Sequence, residues 1–92
     1  MTTYLVERYF PGRERAWLED ALARLPRRDG DVSYLGSFYV PEDESCLCWF
    51  SAPDEESVRR VNELAEFPFA RVVAVIEFVP DRKGEPACAS SD

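Results

Sequence analysis

Aromatic and branched residues crowd Thr3 to Phe10, and the pair Pro11-Gly12 stops them, a pattern that predicts a strand and a turn. The spacing of apolar residues then lengthens. Trp17, Leu18, Ala21, Leu22 and Leu25 recur at intervals of three and four, leaving Arg13, Glu14, Glu19, Asp20 and Arg24 mostly for water, so a helix is expected from Arg13 to Leu25. Pro26 ends it, and the loop RRDGD leads into a strand from Val32 to Val40. Strict alternation there puts Val32, Tyr34, Gly36, Phe38 and Val40 on one face and Ser33, Leu35, Ser37 and Tyr39 on the other.

The short polar stretch Pro41 to Glu44 predicts a hairpin whose return arm is SCLCWFSA, Ser45 to Ala52. Pro53 suits the first position of a second helix, and Asp54, Glu55 and Glu56 suit the positive end of its dipole. Its expected buried stripe is Val58, Val61, Leu64 and Ala65. After the break at Phe67 to Phe69, the run Arg71 to Val79 is so continuously apolar that both of its faces must be covered. Pro80 closes it. The remainder, 81–92, is small, polar and without periodicity, and is expected to be a disordered tail after a single domain of residues 1–80.

Strand, helix, strand, strand, helix, strand is the βαββαβ order of an α+β, ferredoxin-like sandwich: a four-stranded antiparallel sheet with two helices on one face. Two helices cover one face only, and these strands are apolar on both. If Val6, Phe38, Trp49 and Ile76 point to the helices, then Leu5, Tyr9, Leu35, Phe50, Val73 and Val75 share the open face. That surface is large for a monomer, and pairing with a second copy covers it most simply. A two-fold homodimer through the open sheet face, of the dimeric alpha/beta-barrel type, is therefore expected.

Charge narrows the partners. Eighteen acidic against eleven basic side chains give a formal charge of -7. The cluster Arg24, Arg27, Arg28 is followed at once by Asp29 and Asp31, so nucleic acid is not an expected partner. No run of eighteen apolar residues and no basic leader is present, which predicts a cytoplasmic protein without a membrane span. Three cysteines are an odd set, expected as free thiols.

YLVERYFPG at Tyr4 to Gly12, VSYLGSFYVPEDESCLCWFSAP at Val32 to Pro53 and VNELAEFPFARVVAV at Val61 to Val75 resemble a bacterial family of small ferredoxin-like proteins with no settled function. Some members of that family are described as nickel-binding proteins. The resemblance spans roughly residues 3 to 79, and its most specific pieces are VER-x-FPG and V-P-x-D-E-x-C-x-C-x-F-x-A-P. It implies a ferredoxin-like dimer and a divalent metal such as nickel as a possible ligand. It supplies no ligand positions, since the chain has no histidine, the usual ligand for nickel.

Four residues are candidate metal ligands from the sequence itself: Glu7, Cys46, Cys48 and Glu77. Cys46 and Cys48 point the same way on a strand, with Cα atoms roughly 6.5 to 7 Å apart, at or beyond the disulfide limit. They can serve as two donors to a soft metal, or as two small hydrophobes on a sheet face. Cys88, in the tail, enters neither reading. Glu7 and Glu77 are ionisable groups inside apolar strands that should be neighbours, so they can share the open face near Cys48, Ser37 and Tyr39. There they either bind a cation or act as a base, unless Arg8 or Arg71 pairs with one of them or they lie wet at the rim. Arg8 itself alternates onto the helix face, an awkward place for a guanidinium unless it reaches water along its stem or the faces are exchanged.

The acidic loop Glu42, Asp43, Glu44 reads as a solvated turn before it reads as a cation site, and the aromatic residues as packing. No nucleophile elbow, phosphate-binding glycine loop, dinucleotide fingerprint or histidine-based triad is present. Three functions remain: a small dimeric ligand-binding protein, its ligand a divalent metal such as nickel; a cofactor-free dimeric-barrel enzyme using a carboxylate such as Glu7 on a small hydrophobic molecule; and a non-catalytic interaction module. The enzyme reading requires an enclosed pocket on the order of 300 Å³ with that carboxylate in its wall.

Overall fold

The computed structural model describes residues 1–80 and 86–88 of the chain. Its elements are β1 (Thr2–Tyr9), α1 (Arg15–Ala23), β2 (Arg28–Asp29), β3 (Val32–Val40), β4 (Ser45–Ala52), α2 (Glu55–Leu64), β5 (Arg71–Val75), β6 (Phe78–Pro80) and β7 (Pro86–Cys88), with one 3₁₀ turn at Pro41–Asp43. The fold is α+β. Five strands form an antiparallel sheet in the order β2-β3-β4-β1-β5, and β6 and β7 form a separate two-stranded sheet.

The sheet has one strand more than the four expected. Gly30 takes φ +60°, a conformation a glycine adopts without a Cβ penalty, and this turns the loop RRDGD back on itself. Arg28 and Asp29 then pair with Ser33 and Val32 as a short edge strand. At the other end β5 stops at Val75, four residues short of the expected Val79, and Phe78–Pro80 pairs with Pro86–Cys88 instead. The rest of the expected tail, 81–85 and 89–92, lies outside the described residues.

Both helices pack on one sheet face. The buried core joins Leu18 and Ala21 of α1 and Val58 and Val61 of α2 to Val6, Cys46, Cys48, Phe50 and Val72 of the sheet. Asp54 caps α2, its carboxylate accepting from the Ser57 backbone N–H at 2.8 Å. The buried stripe of α2 is Val58, Val61, Asn62 and Ala65, and Leu64 is exposed, contrary to expectation. The reason is geometric: 58, 61, 62 and 65 follow the i, i+3, i+4, i+7 rule, and 64 falls off that stripe.

A β-bulge in β3 corrects the assignment of faces. Tyr34 pairs with Phe50 and Gly36 with Trp49, so Leu35 is the extra residue between two successive pairs and is half exposed. Alternation is reset at that point. Val32 and Tyr34 share the helix face with Ser37 and Tyr39, while Gly36 and Phe38 turn to the other side. Phe38 consequently lies on the open face with Trp49, their rings 4.9 Å apart between centroids, and Phe50, whose side is set by the pairing of β4 with β1, is in the core. Glycine suits this position: a Cβ at Gly36 would come within 3.3 Å of Trp49 Cζ2, at a φ of +157°. Ile76, also expected under the helices, is exposed. Val6, Leu5, Val73 and Val75 fall on the sides expected of them.

Candidate functional site

The pleat of β4 turns Cys46 and Cys48 to the helix side, where neither has any exposed surface. Their sulfurs are 3.7 Å apart, and both are free thiols. On the neighbouring strands Cys48 faces Val6 and Ser37, and Cys46 faces Arg8 and Tyr39. The Ser37 hydroxyl donates to Cys48 Sγ at 2.8 Å, and Ser37 is itself hydrogen-bonded to the Tyr34 hydroxyl. A polar chain therefore runs Tyr34, Ser37, Cys48, Cys46 through the packed interior.

Arg8 completes the cluster. It is 1% exposed, and its guanidinium lies 3.6 Å from the centroid of the Phe67 ring. One terminal nitrogen donates to the Phe67 and Pro68 carbonyls at 3.2 and 3.3 Å, the other to Asn62 Oδ1 at 2.7 Å. Asn62, fully buried, is fixed in turn by donating to the Val58 carbonyl at 2.9 Å. Every acceptor is neutral, Arg8 has no carboxylate partner among the described residues, and Arg8 Nε is buried without any partner. Neither expected remedy for Arg8 applies: the side chain does not reach water, and the faces are not exchanged at β1.

The two thiols respond oppositely to these surroundings. Cys48 is held below the ordinary thiol range, first by the hydrogen bond from Cys46 and then by the Arg8 charge and Ser37, against the opposing effect of burial. Cys46 is pushed well above that range, since its proton is shared with Cys48 and its own ionisation is opposed by burial and by the neighbouring thiolate. Burial also raises Tyr34, with the Ser37 hydrogen bond opposing it.

The carboxylates expected beside the thiols lie elsewhere. Glu7 is on the open side of β1, opposite Leu47 and Arg71, so the fold does not bring it to Cys46 and Cys48. Arg71 donates to it at 2.8 Å, and that bond holds the Glu7 carboxyl below its usual range, which makes it a weaker base than a free carboxylate. Glu77 is exposed and lines an open groove of about 310 Å³ with Thr3, Leu5, Phe38, Leu47, Trp49 and Val75. This groove is the unpartnered sheet face. Glu7 is not in its wall, so the enclosed, carboxylate-lined pocket that the enzyme reading requires is not formed there. The acidic turn is structural: Glu44 takes a left-handed φ of +50°, and its carboxylate accepts from the Gly12 backbone N–H at 3.0 Å.

Arg8 and Asn62 are the two site residues that sequence reasoning missed in their roles. The signal was available for Asn62, a polar residue at a stripe position of an otherwise apolar helix face. Arg8 on the helix face was visible, but its partners come from α2 and the Phe67-Pro68 segment, about sixty residues away.

Comparison with known families adds the wider context. The family model "Nickel responsive protein SCO4226-like" matches residues 4–75. The chain belongs to that SCO4226-like family. No curated protein and no solved structure matches it. The matched span covers β1 to β5 and so includes all of Arg8, Cys46, Cys48 and Asn62. Whether a member of the SCO4226-like family can hold nickel in one chain is a matter of donors. Among the described residues no three His, Cys, Asp or Glu side chains gather where an ion could sit, and the chain has no histidine. Nickel in its tetragonal geometry takes four donors, and the thiol pair supplies two in a site closed to water. The described residues of a single chain do not fit that ion. No helix of the described residues is long and apolar enough to cross a membrane.

Proposed function

We propose that this protein is a small, ferredoxin-like, homodimeric metal-binding protein whose donor pair is Cys46 and Cys48. One observation carries the metal reading: two free thiols converge to 3.7 Å beside a fixed positive charge, where the ionised form of at least one is favoured. Thiolates are the ligands of thiophilic ions, and the nickel responsiveness in the family's name accords with a metal as the ligand. The ferredoxin-like plan is supported by the strand order β3-β4-β1-β5 and by both helices packing on one side. The dimer is supported by Leu5, Phe38, Leu47, Trp49 and Val75, which together form an apolar face that none of the described residues covers.

Calorimetric titration of tag-free protein with nickel, zinc and manganese tests the metal reading, using the Cys88→Ser background so that the third thiol contributes nothing. Binding of a thiophilic ion that disappears in the further variant C46S/C48S is the expected result. Absence of heat at protein concentrations of about 100 µM rules out any affinity tighter than that. For the assembly, sedimentation equilibrium is expected to give twice the 10.6 kDa chain mass, falling to a single mass in Trp49→Glu. A wild-type protein of single mass overturns the dimer.

A further inference from the structure

We propose that the Cys46–Cys48 pair is a two-coordinate site for a monovalent thiophilic ion of the copper(I) class, with Arg8 as its built-in counter-charge. This rests on the reading of those thiols as metal donors and goes on to name the ion, and so parts from the nickel of the family name.

Three observations converge on it. The first is the number of donors. Both thiols are fully buried and no third His, Cys, Asp or Glu joins them among the described residues. A four-coordinate ion would have to fill its remaining positions with water, and no water reaches fully buried sulfurs. An ion content with two soft ligands has no such need; thiolates suit copper(I), zinc and iron–sulfur clusters, and of these copper(I) is the one that does not need four donors.

The second is charge. Bound as thiolates, the two sulfurs carry two negative charges. With a divalent ion they form a neutral unit, and the Arg8 guanidinium remains an uncompensated buried cation. With a monovalent ion they form a unit of charge -1, and Arg8 neutralises it. A buried charge is tolerated when it is paired, and Arg8 has hydrogen bonds only to neutral acceptors. The loading step balances: one copper(I) enters, the two sulfur–metal bonds form, and whatever protons the sulfurs carried leave to solvent.

The third is direction. Arg8 stands directly opposite Cys46 across the β1–β4 pair, and its Nε is the one buried side-chain nitrogen or oxygen among the described residues without a hydrogen-bond partner. An unused donor at that place suits an anionic cluster as its acceptor. With metal–sulfur bonds of about 2.3 Å a near-linear two-coordinate ion needs its sulfurs about 4.6 Å apart, so loading requires the 3.7 Å of the metal-free pair to widen by rotation of the thiols.

The test is an anaerobic competition between the Cys88→Ser protein and the copper(I) chelator bicinchoninate, followed by the chelator's visible absorbance. One copper(I) per chain is expected to be retained, with a thiolate-to-copper charge-transfer band in the ultraviolet, and both are expected to vanish in C46S/C48S. Arg8→Met should weaken retention about 10- to 100-fold, in line with other groups that surround a metal's ligands, whereas Arg8→Lys should recover most of it. If both Arg8 variants fail to fold, X-ray absorption of the copper-loaded protein decides: two sulfurs and no further ligand are expected. Retention that survives C46S/C48S, or a four-coordinate spectrum, overturns the proposal. If nickel or zinc binds at the thiols and copper(I) does not, the metal-binding function stands and this inference falls. If no ion reaches the thiols, both fall.

Discussion

Replacing Arg8 by Met tests whether the buried guanidinium clamps the fold or burdens it. Met keeps a similar apolar stem, so the change mainly removes the charge and its hydrogen bonds. The bond to Asn62 Oδ1 at 2.7 Å is charge-assisted and worth about 1.5 to 3 kcal/mol. The bonds to the Phe67 and Pro68 carbonyls are longer, at 3.2 and 3.3 Å, and are together worth about 1 to 2 kcal/mol. Stacking on Phe67 at 3.6 Å adds about 1 to 2 kcal/mol. Against this, Met abolishes the cost of burying a cation, which is several kcal/mol. The balance tips toward loss, because Asn62 Oδ1 and the Phe67 carbonyl stay buried without their donor, and orphaned acceptors cost about 1 to 3 kcal/mol each. A net destabilisation of about 3 kcal/mol is expected. With a urea m-value of about 1.5 kcal/mol/M, the midpoint of chemical unfolding falls by about 2 M. Equilibrium unfolding followed by tryptophan fluorescence measures it in metal-free protein. A Met variant as stable as the wild type, or more so, refutes the reasoning, since it would mean that the charge costs more than its hydrogen bonds return.

The same cluster gives a pH signature. Cys48 ionises below, and Cys46 above, the unfolded thiol pKa of about 8.5, so the folded pair binds fewer protons than the unfolded chain just below that pH and more just above it. Stability should therefore rise toward pH about 8.5 and fall beyond it, each limb no steeper than about 1.4 kcal/mol per pH unit. Chemical unfolding of chelator-treated protein checks this, and the C46S/C48S variant should lack the maximum; the same curve in both would refute the assignment. Gly36→Ala should cost about 1 to 3 kcal/mol, because the new Cβ meets Trp49 at 3.3 Å on a backbone suited to glycine, and thermal unfolding with Trp emission reports it. A neutral Gly36→Ala would mean that the bulge relaxes freely.

Most of the architecture was legible in the chain. Punctuation by Pro11-Gly12, Pro26, Pro41 and Pro53, together with the change of period between strand and helix, located two helices and the principal strands. Two features were not. A two-residue edge strand such as Arg28–Asp29 has no periodicity to detect, since its pairing depends on the turn at Gly30. The side taken by Phe38 was not legible because alternation assumes an unbroken ladder, and the surplus residue at Leu35 breaks it; the sides of Phe50 and Trp49 were not, because they depend on how β4 pairs with β1. For the site, the convergence of Cys46 and Cys48 follows from spacing alone. Their separation from Glu7 and Glu77 did not, as it depends on which residues of β1 and β4 stand opposite one another. Arg8 and Asn62 became a unit only when α2 packed on the sheet, a long-range event that no local pattern encodes.

One surplus residue in β3 carries more than a local kink. Counting along the strand, everything after Leu35 has its inside and outside exchanged relative to an even ladder. Ser37 thereby reaches the thiols, and Phe38 joins the greasy exterior. Draw Leu35 into the ladder as a paired residue and parity reverses: Ser37 and Tyr39 would be cast outward, Phe38 would be driven into the interior, and Cys48 would lose its hydroxyl. The polar heart of the molecule and its sticky flank are thus two results of a single odd number.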